Sequence, residues 1–138
     1  MKIKRLKVNE LPEILEILRH DNLKYADGSY PEESWISALI TKGIAYGAYK
    51  DKKLKSVLLA ENMIAGGIYV WFLAVRSEDI GKGYGQILYD AFEDRMTKKK
   101  KHWVFLTSWN KSESFYSRNG FDTTNLIVKE FCKVIKHQ

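Results

Sequence analysis

Residues 73–86 have the sequence LAVRSEDIGKGYGQ, in which an apolar strand runs into a glycine-rich turn. Apolar residues then recur at helical spacing to about residue 98, which predicts a helix starting near Gly83. The first N–H groups of a helix have no partner within it, and they carry the positive end of its dipole. Glycines let a ligand approach those groups closely, so the turn is typical of a phosphate-binding site, with Lys82 as an added positive charge.

Two common phosphate-binding patterns do not fit this turn. A dinucleotide fingerprint, G-x-G-x-x-G, that begins at Gly81 needs its third glycine where Gln86 stands. A P-loop needs Ser or Thr after its Gly-Lys pair, and here Gly83 follows Lys82. Taken alone, the turn leaves two alternatives open: a phosphate site, or a tight turn that only starts a helix.

A second motif lies about 30 residues further on, where residues 115–121 have the sequence FYSRNGF. Together the two segments resemble the GNAT superfamily of N-acetyltransferases, whose patterns are Gln/Arg-x-x-Gly-x-Gly/Ala and Phe-Tyr-x-x-x-Gly-Phe. Gly83 and Gly85 match the first pattern. The second is matched by Phe115, Tyr116, Gly120 and Phe121. The order of predicted elements extends the resemblance over nearly the whole chain.

The resemblance implies acetyl-CoA as the donor, no metal, and an amine as the acceptor. It places the pantetheine arm beside a strand, on the backbone of Leu73, Ala74 and Val75. The pyrophosphate would lie on the N–H groups of the turn, which belong to Gly81, Lys82, Gly83, Tyr84, Gly85 and Gln86.

The resemblance also implies a catalytic role for Tyr116, close to the thioester sulfur. The departing thiolate gains negative charge, and a phenol can donate a hydrogen bond or a proton to it. A phenol pKa of about 10 keeps this donor protonated at neutral pH. The alternative is an aromatic side chain that only packs on a short helix.

The sequence departs from the family pattern on the donor side at two positions. Ile80 replaces the usual Gln or Arg, so we expect Lys82 or Arg76 to supply the missing phosphate contact. Trp109 replaces a frequent Asn, and Asn110 follows one residue late. Asn110 is therefore a candidate cofactor ligand, and the alternative is a helix N-cap.

A third departure concerns the base that some members carry, because Tyr69 stands at that position. Candidates to remove the amine proton are then Glu61, Glu78 or a chain of waters. Most of the catalysis is expected to come from aligning the amine with the thioester for direct attack.

The acceptor site is expected near residues 21–35, because in this family the segment between the first two helices lines it. That segment holds four acidic residues and one lysine, interleaved with aromatic ones. Carboxylates beside aromatic faces suit a cation, which predicts a positively charged primary amine, small or peptidic. Candidate acceptor residues are Tyr25, Tyr30 and Glu61. The alternative is a solvated acidic loop.

The predicted fold class is α+β, a three-layer α/β arrangement in which helices cover both faces of one mixed sheet. Residues 1–138 form a single domain with the order β-α-α-β-β-β-α-β-α-β. We expect strands near residues 2–8, 44–49, 54–60, 68–75, 103–109 and 127–135. Helices are expected to end near residues 20, 98 and 119, and Pro31 is expected in the first turn of the second helix.

Composition and charge limit the other classes of partner and location that the protein could have. The net charge of +6 permits a nucleic-acid partner, but the lysines at 98–101 fit a solvated helix end better. The longest apolar run is too short for a membrane span, and the single cysteine, Cys132, cannot form an internal disulfide. We therefore expect a cytoplasmic protein, a monomer or homodimer, without a nucleic-acid, membrane or metal partner. A non-catalytic acyl-CoA-binding module on the same fold remains an alternative.

Overall fold

The computed structural model describes residues 1–19, 24–25, 27–107, 113–123 and 130–134. Its strands form one mixed sheet in the order β1-β2-β3-β4-β5-β7-β6, antiparallel except between β4 and β5. The strands are β1 (Lys2–Arg5), β2 (Ile44–Lys50), β3 (Lys53–Asn62), β4 (Gly67–Val75), β5 (Trp103–Thr107), β6 (Asp122–Thr123) and β7 (Glu130–Val134). The helices are α1 (Leu11–Leu18), α2 (Glu33–Lys42), α3 (Tyr84–Lys98) and α4 (Glu113–Arg118).

Two apolar clusters cover the two faces of the sheet. On one face, α3 and α4 pack on the middle strands around fully buried Leu88, Phe92 and Val104. On the other face, α1 and α2 pack through Ile14 and Ile36. This confirms the predicted α+β fold with helices on both sides of a mixed sheet.

The element order matches the sequence prediction, with a few differences in detail. The helix α2 begins at Glu33, so Pro31 precedes the helix and the prediction that it sits in the first turn is wrong. The first strand ends at Arg5, because a 3-10 turn occupies Val8–Glu10. The two-residue strand β6 was not predicted at all. Among the described residues, no helix is long and apolar enough to cross a bilayer.

The strand β4 carries a bulge at Trp71. Leu59 on β3 pairs with Phe72, and the next residue, Ala60, pairs with Val70, so Trp71 is the extra residue on β4. Residues 68 and 70 accordingly pack toward α3, whereas Phe72 and Ala74 pack toward α1 and α2.

The parallel strands β4 and β5 separate just beyond the same point. Their pairing covers Gly67–Val70 and stops at the contact of Val70 with Leu106. Among the described residues, the edge of β4 that faces β5 therefore has no strand partner from Trp71 to Val75. Within the described part of the chain, no strand pairs with the polar backbone groups along this edge.

Candidate functional site

A cleft of about 440 Å³ lies where β4, the glycine-rich turn and α4 meet. It combines the splayed end of β4 with the start of α3. Its walls are formed by Leu73, Val75, Asp79, Ile80, Gly81, Gly83, Tyr84, Gly85, Gln86, Phe115, Tyr116 and Arg118. Two segments that are far apart in sequence, each singled out by a motif, thus form one site.

The glycine-rich turn has the geometry that an anion site requires. Gly81 and Gly83 have φ angles of 88° and 87°, in the left-handed region, and Gly83 is the N-cap of α3. A Cβ placed on either glycine would meet no atom within 4 Å, so open space lies beside both. Tyr84, Gly85 and Gln86 form the first turn of α3, where backbone N–H groups lack helical partners.

Tyr116 lies at the α4 end of the cleft. Its side chain is 7% exposed, and it contacts the rings of Phe115 and Phe121 edge-on. Burial raises the pKa of the Tyr116 phenol above its ordinary value of 10.0. The phenol therefore remains protonated, as a proton donor must, throughout the neutral range.

Lys82 is paired with Asp79. Lys82 Nζ donates to Asp79 Oδ1 at 2.9 Å, and Lys55 Nζ donates to the other oxygen at 3.2 Å. The hydrogen bond from Lys82 lowers the pKa of Asp79 below 3.8, and Lys55 acts in the same direction. Asp79 thus offsets much of the charge that Lys82 would bring to an anion.

Arg76 is buried away from the cleft, so the expectation that it compensates for Ile80 is wrong. Its side chain is 3% exposed, and its guanidinium donates to Glu16 at 2.6 Å, Glu13 at 3.1 Å and the carbonyl of Leu54 at 3.0 Å. These contacts join α1 to the end of β4. Each of its three guanidinium nitrogens therefore already donates a hydrogen bond within the fold.

Arg118 is the cation that the sequence analysis missed. It lies in the last turn of α4 and lines the cleft, whereas Arg76 does not. Its position inside the FYSRNGF segment was the available signal. Ile80 is 58% exposed at the cleft wall, where the family pattern has a polar residue.

A separate aromatic cluster lies on the opposite face of the sheet, beside α2. Trp71, the bulged residue, contacts Trp35 with ring centroids 5.0 Å apart and Tyr69 at 4.4 Å. Trp71 Nε1 donates to Glu61 Oε1 at 2.8 Å. Glu61 is thus attached to the strand segment where β4 leaves β5. The sequence analysis named Glu61 but not Trp71, because no sequence signal reveals the bulge.

The other predicted acceptor residues lie in the segment before α2. The carbonyl of Tyr25 accepts from the N–H of Gly28, which closes a turn, and Lys24 Nζ lies 5.6 Å from the ring of Tyr30. Burial, then the negative charges of Glu32 and Asp27, raise the pKa of Tyr25. Glu61 instead lies near the end of β3, bonded to Trp71.

Glu78, the other candidate base, lies at the opposite end of β3 from Glu61. Its carboxylate is 3.7 Å from Lys53 and 3.9 Å from Arg76. The 3-10 turn Ser77–Asp79 holds it beside the glycine-rich turn, at the phosphate end of the cleft. This position separates Glu78 from the point where Trp71 and Glu61 meet.

Comparison with known proteins places these features in a family. The acetyltransferase (GNAT) domain profile matches residues 30–133, about three quarters of the chain. The chain belongs to the GNAT acetyltransferase family. A search of the curated proteins finds no match to this GNAT chain.

Solved structures share the fold of this GNAT protein at low sequence identity. The PaiA N-acetyltransferase from Thermoplasma acidophilum, in complex with coenzyme A, is 23% identical with a TM-score of 0.77, over 96% of this chain and 98% of that one. The ribosomal-protein-S18-alanine N-acetyltransferase from Escherichia coli is 14% identical with a TM-score of 0.84, over 99% and 95%. An aminoglycoside 6'-N-acetyltransferase complexed with coenzyme A is 13% identical with a TM-score of 0.85, over 100% and 99%.

The fold of this acetyltransferase domain therefore brings together most of the residues that the sequence predicted to bind acetyl-CoA. Leu73, Val75, Tyr116 and the glycines of the turn line one cleft. The side chain of Ala74 faces α1 and α2, which leaves only its backbone for a ligand. Asn110 lies outside the described residues. Among the described residues, no group of three potential metal ligands occurs.

Proposed function

We propose that this GNAT protein transfers the acetyl group of acetyl-CoA to a primary amine by direct attack within a ternary complex. One observation carries the proposal: a single cleft runs from the N–H groups at the start of α3, past the edge of β4 that β5 leaves, to Tyr116. The N–H of Lys82 is the exception in the turn, since it donates to the carbonyl of Asp79 at 3.2 Å. The coenzyme A bound to two solved proteins of the same fold supports the choice of donor.

In this proposal the backbone binds most of the donor. The pyrophosphate lies on the N–H groups of residues 81–86, where the helix dipole and open space favour an anion. Arg118 at the cleft wall adds positive charge. The pantetheine amides bond to the backbone of residues 73–75, as an added strand would. Asn110 is a further candidate ligand on the donor side.

Tyr116 acts on the leaving group. The amine nitrogen attacks the thioester carbonyl, and the carbon–sulfur bond then breaks to release a thiolate. The phenol of Tyr116 donates a proton to that sulfur, and burial keeps the phenol protonated until it is used. With the donor bound beside this acid in the cleft, the rate gain would come from alignment of the reactants and from the proton of Tyr116.

The acceptor is a positively charged amine, either a small molecule or a peptide amino group. We place the acceptor site at the acidic, aromatic segment before α2. Its binding residues are Tyr25 and Tyr30 in that segment and Glu61 on β3. The negative charges near Tyr25, from Glu32 and Asp27, favour a cation there. The single cysteine fits a reducing compartment such as the cytoplasm, and a monomer or homodimer stays a prediction.

Isothermal titration with acetyl-CoA, and separately with NAD and ATP, tests the donor. We expect micromolar binding of acetyl-CoA and none of the other two. A screen of primary amines then tests the transfer, with Tyr116→Phe as the control that keeps the ring but loses the proton. We expect the variant to bind acetyl-CoA normally and to turn over about 100-fold more slowly. Failure to bind acetyl-CoA would contradict the proposed function, and binding without transfer to any amine would favour a non-catalytic acyl-CoA-binding module.

A further inference from the structure

The reaction needs a group that removes a proton from the acceptor. An alkylammonium has a pKa of about 10.4, so only about one molecule in 2,500 is neutral at pH 7. Tyr116 cannot take this proton, because its phenol is protonated and faces the cleft on the α3 side of the sheet. A proton acceptor is therefore needed on the other face, close to where the donor's reacting end lies.

Glu61 lies at that place. It is the register partner of Tyr69 on β4, so their side chains lie on the same face of the sheet, toward α2. Tyr69 and Val70 are the last residues of β4 that pair with β5. Glu61 is thus one strand away from the point where β4 and β5 part, and it lies on the face of the sheet opposite the cleft.

Trp71 holds the carboxylate in place. Its indole N–H bonds to Oε1 at 2.8 Å, and its ring is fixed against Trp35 and Tyr69. Among the described residues, no hydrogen bond reaches Oε2, which leaves that oxygen for a ligand. The aromatic rings beside it favour a cation.

The other carboxylates near this face are engaged elsewhere. Glu13 and Glu16 bind Arg76, at the opposite end of β3. Glu10 binds the hydroxyl of Tyr49. The remaining titratable groups that the structure describes on the elements beside Glu61 are as follows: Tyr69 on β4; Glu33 and Lys42 on α2, with Glu32 as its N-cap; Tyr46, Tyr49 and Lys50 on β2; and Lys53 and Lys55 on β3 itself.

We propose that Glu61 binds the acceptor ammonium and takes its first proton, with Trp71 as the residue that positions it. This proposal rests on the proposed function and adds the missing base. Glu61 accepts one proton from the ammonium and later releases it to solvent. The neutral nitrogen forms the carbon–nitrogen bond, the carbon–sulfur bond breaks, and Tyr116 protonates the sulfur. The second proton, which the nitrogen loses as the amide forms, returns to Tyr116.

The pH dependence of Glu61→Gln distinguishes a base from a structural residue. The probes are acetyl-CoA with two alkylamines, 1,4-diaminobutane and Nα-acetyl-lysine amide. At pH 7 we expect kcat/KM to fall about 100-fold relative to wild type, with an unchanged Kd for acetyl-CoA. At pH 9.5 about a tenth of the amine is neutral without help, so the deficit should shrink to less than about tenfold.

Three further variants sharpen the test. Trp71→Phe keeps the ring but loses the N–H, and we expect a smaller loss of about tenfold with the same trend with pH. Asp94→Asn removes an exposed carboxylate on α3 and should change nothing. The double variant Glu61→Gln/Tyr69→Glu places a carboxylate on the register partner. Its kcat/KM at pH 7 should be at least tenfold higher than that of Glu61→Gln.

Two outcomes would overturn the inference. One is a Glu61→Gln protein whose activity at pH 7 stays within threefold of wild type. The other is a deficit that is the same at pH 7 and pH 9.5, with no recovery in the double variant. If wild-type protein acetylates none of the probes at either pH, the proposed function fails and this inference fails with it. An activity that survives in Glu61→Gln refutes the inference alone.

Discussion

The side-chain amides of Gln86 and Asn119 exchange two hydrogen bonds. Gln86 Nε2 donates to Asn119 Oδ1 at 2.7 Å, and Asn119 Nδ2 donates to Gln86 Oε1 at 3.1 Å. Gln86 lies in the first turn of α3, and Asn119 follows α4. The pair therefore joins the helix that begins at the glycine-rich turn to the helix that carries Tyr116.

Removing either amide should loosen this connection. We expect Gln86→Ala to lower the free energy of unfolding by about 1–2 kcal/mol. Asn119→Ala should cost more, because the further bond of Asn119 Nδ2, to the carbonyl of Phe115 at 2.8 Å, is partly buried, whereas that of Gln86 Nε2, to Asp90 Oδ1 at 2.8 Å, is exposed. Urea unfolding of both single variants and the double variant gives their coupling energy, expected at about 0.5 kcal/mol or more. Strict additivity would show that the two amides act independently.

Arg76 should matter for stability and not for the donor. Arg76→Met removes the contacts to Glu13 and Glu16 and leaves the carbonyl of Leu54 without its side-chain donor. We expect the free energy of unfolding to fall by about 2–3 kcal/mol, because a buried guanidinium and its hydrogen bonds are lost, while the partly exposed Glu13 and Glu16 can turn to water. Arg76→Lys should not restore it, since the donors of lysine all lie on one nitrogen and cannot reproduce the planar fork of the guanidinium. Chemical unfolding measures the stability of both variants, and acetyl-CoA titration measures their binding. A tenfold rise in Kd for folded Arg76→Lys would show that Arg76 does contribute to acetyl-CoA binding.

Asp79 should contribute to stability at neutral pH and lose that contribution in acid. Its pKa is lowered in the folded protein, mainly by the hydrogen bond from Lys82, from an ordinary value of 3.8. A group with a lowered folded pKa stabilises the fold above its unfolded pKa, and the effect disappears as the pH falls through the folded pKa. The melting temperature of Asp79→Asn should therefore fall less than that of wild type between pH 6 and pH 3. Asp94→Asn is the control. An equal fall in melting temperature between pH 6 and pH 3 for wild type, Asp79→Asn and Asp94→Asn would rule out this role of Asp79.

Gly83 and Gly28 form a matched pair for testing the glycine-rich turn. Their φ angles are 87° and 85°, and a Cβ on either would meet no atom within 4 Å. Alanine at each should cost a similar strain of about 1–2 kcal/mol. Only Gly83 lines the cleft, so only Gly83→Ala should weaken acetyl-CoA binding, by about tenfold. Equal Kd values for the two variants would show that the phosphates do not approach Gly83.

The sequence predicts those parts of the fold that depend on local patterns. The turn at Asp51 and Lys52 has positive φ at both residues, 53° and 65°, as a tight hairpin needs. Gly120 has a φ of 86° after α4, as expected of a left-handed C-cap. Such positions depend on neighbouring residues, so the sequence contains the signal.

The features that escaped prediction depend on contacts between distant segments. Arg76 is separated by 60 residues from Glu16, and the charge pattern alone did not show that it would be buried. The bulge at Trp71 arises from the register between β3 and β4, which alternation of polar and apolar residues does not fix. Both errors affected the site, because one assigned Arg76 to the phosphates and the other hid the partner of Glu61.

The two faces of the sheet beside the gap between β4 and β5 present different kinds of chemical group. Along β4 and the glycine-rich turn the cleft presents mainly peptide groups, which nearly any sequence with this backbone supplies. The other face carries the side chains of Trp71 and Tyr69 on β4 and of Glu61 on the neighbouring strand. Under the proposed function, substitutions of these side chains would change which amine is accepted and would leave donor recognition unchanged. Two solved structures that share this fold at 13–14% identity to this chain are named for different acceptors, an aminoglycoside and the alanine of ribosomal protein S18.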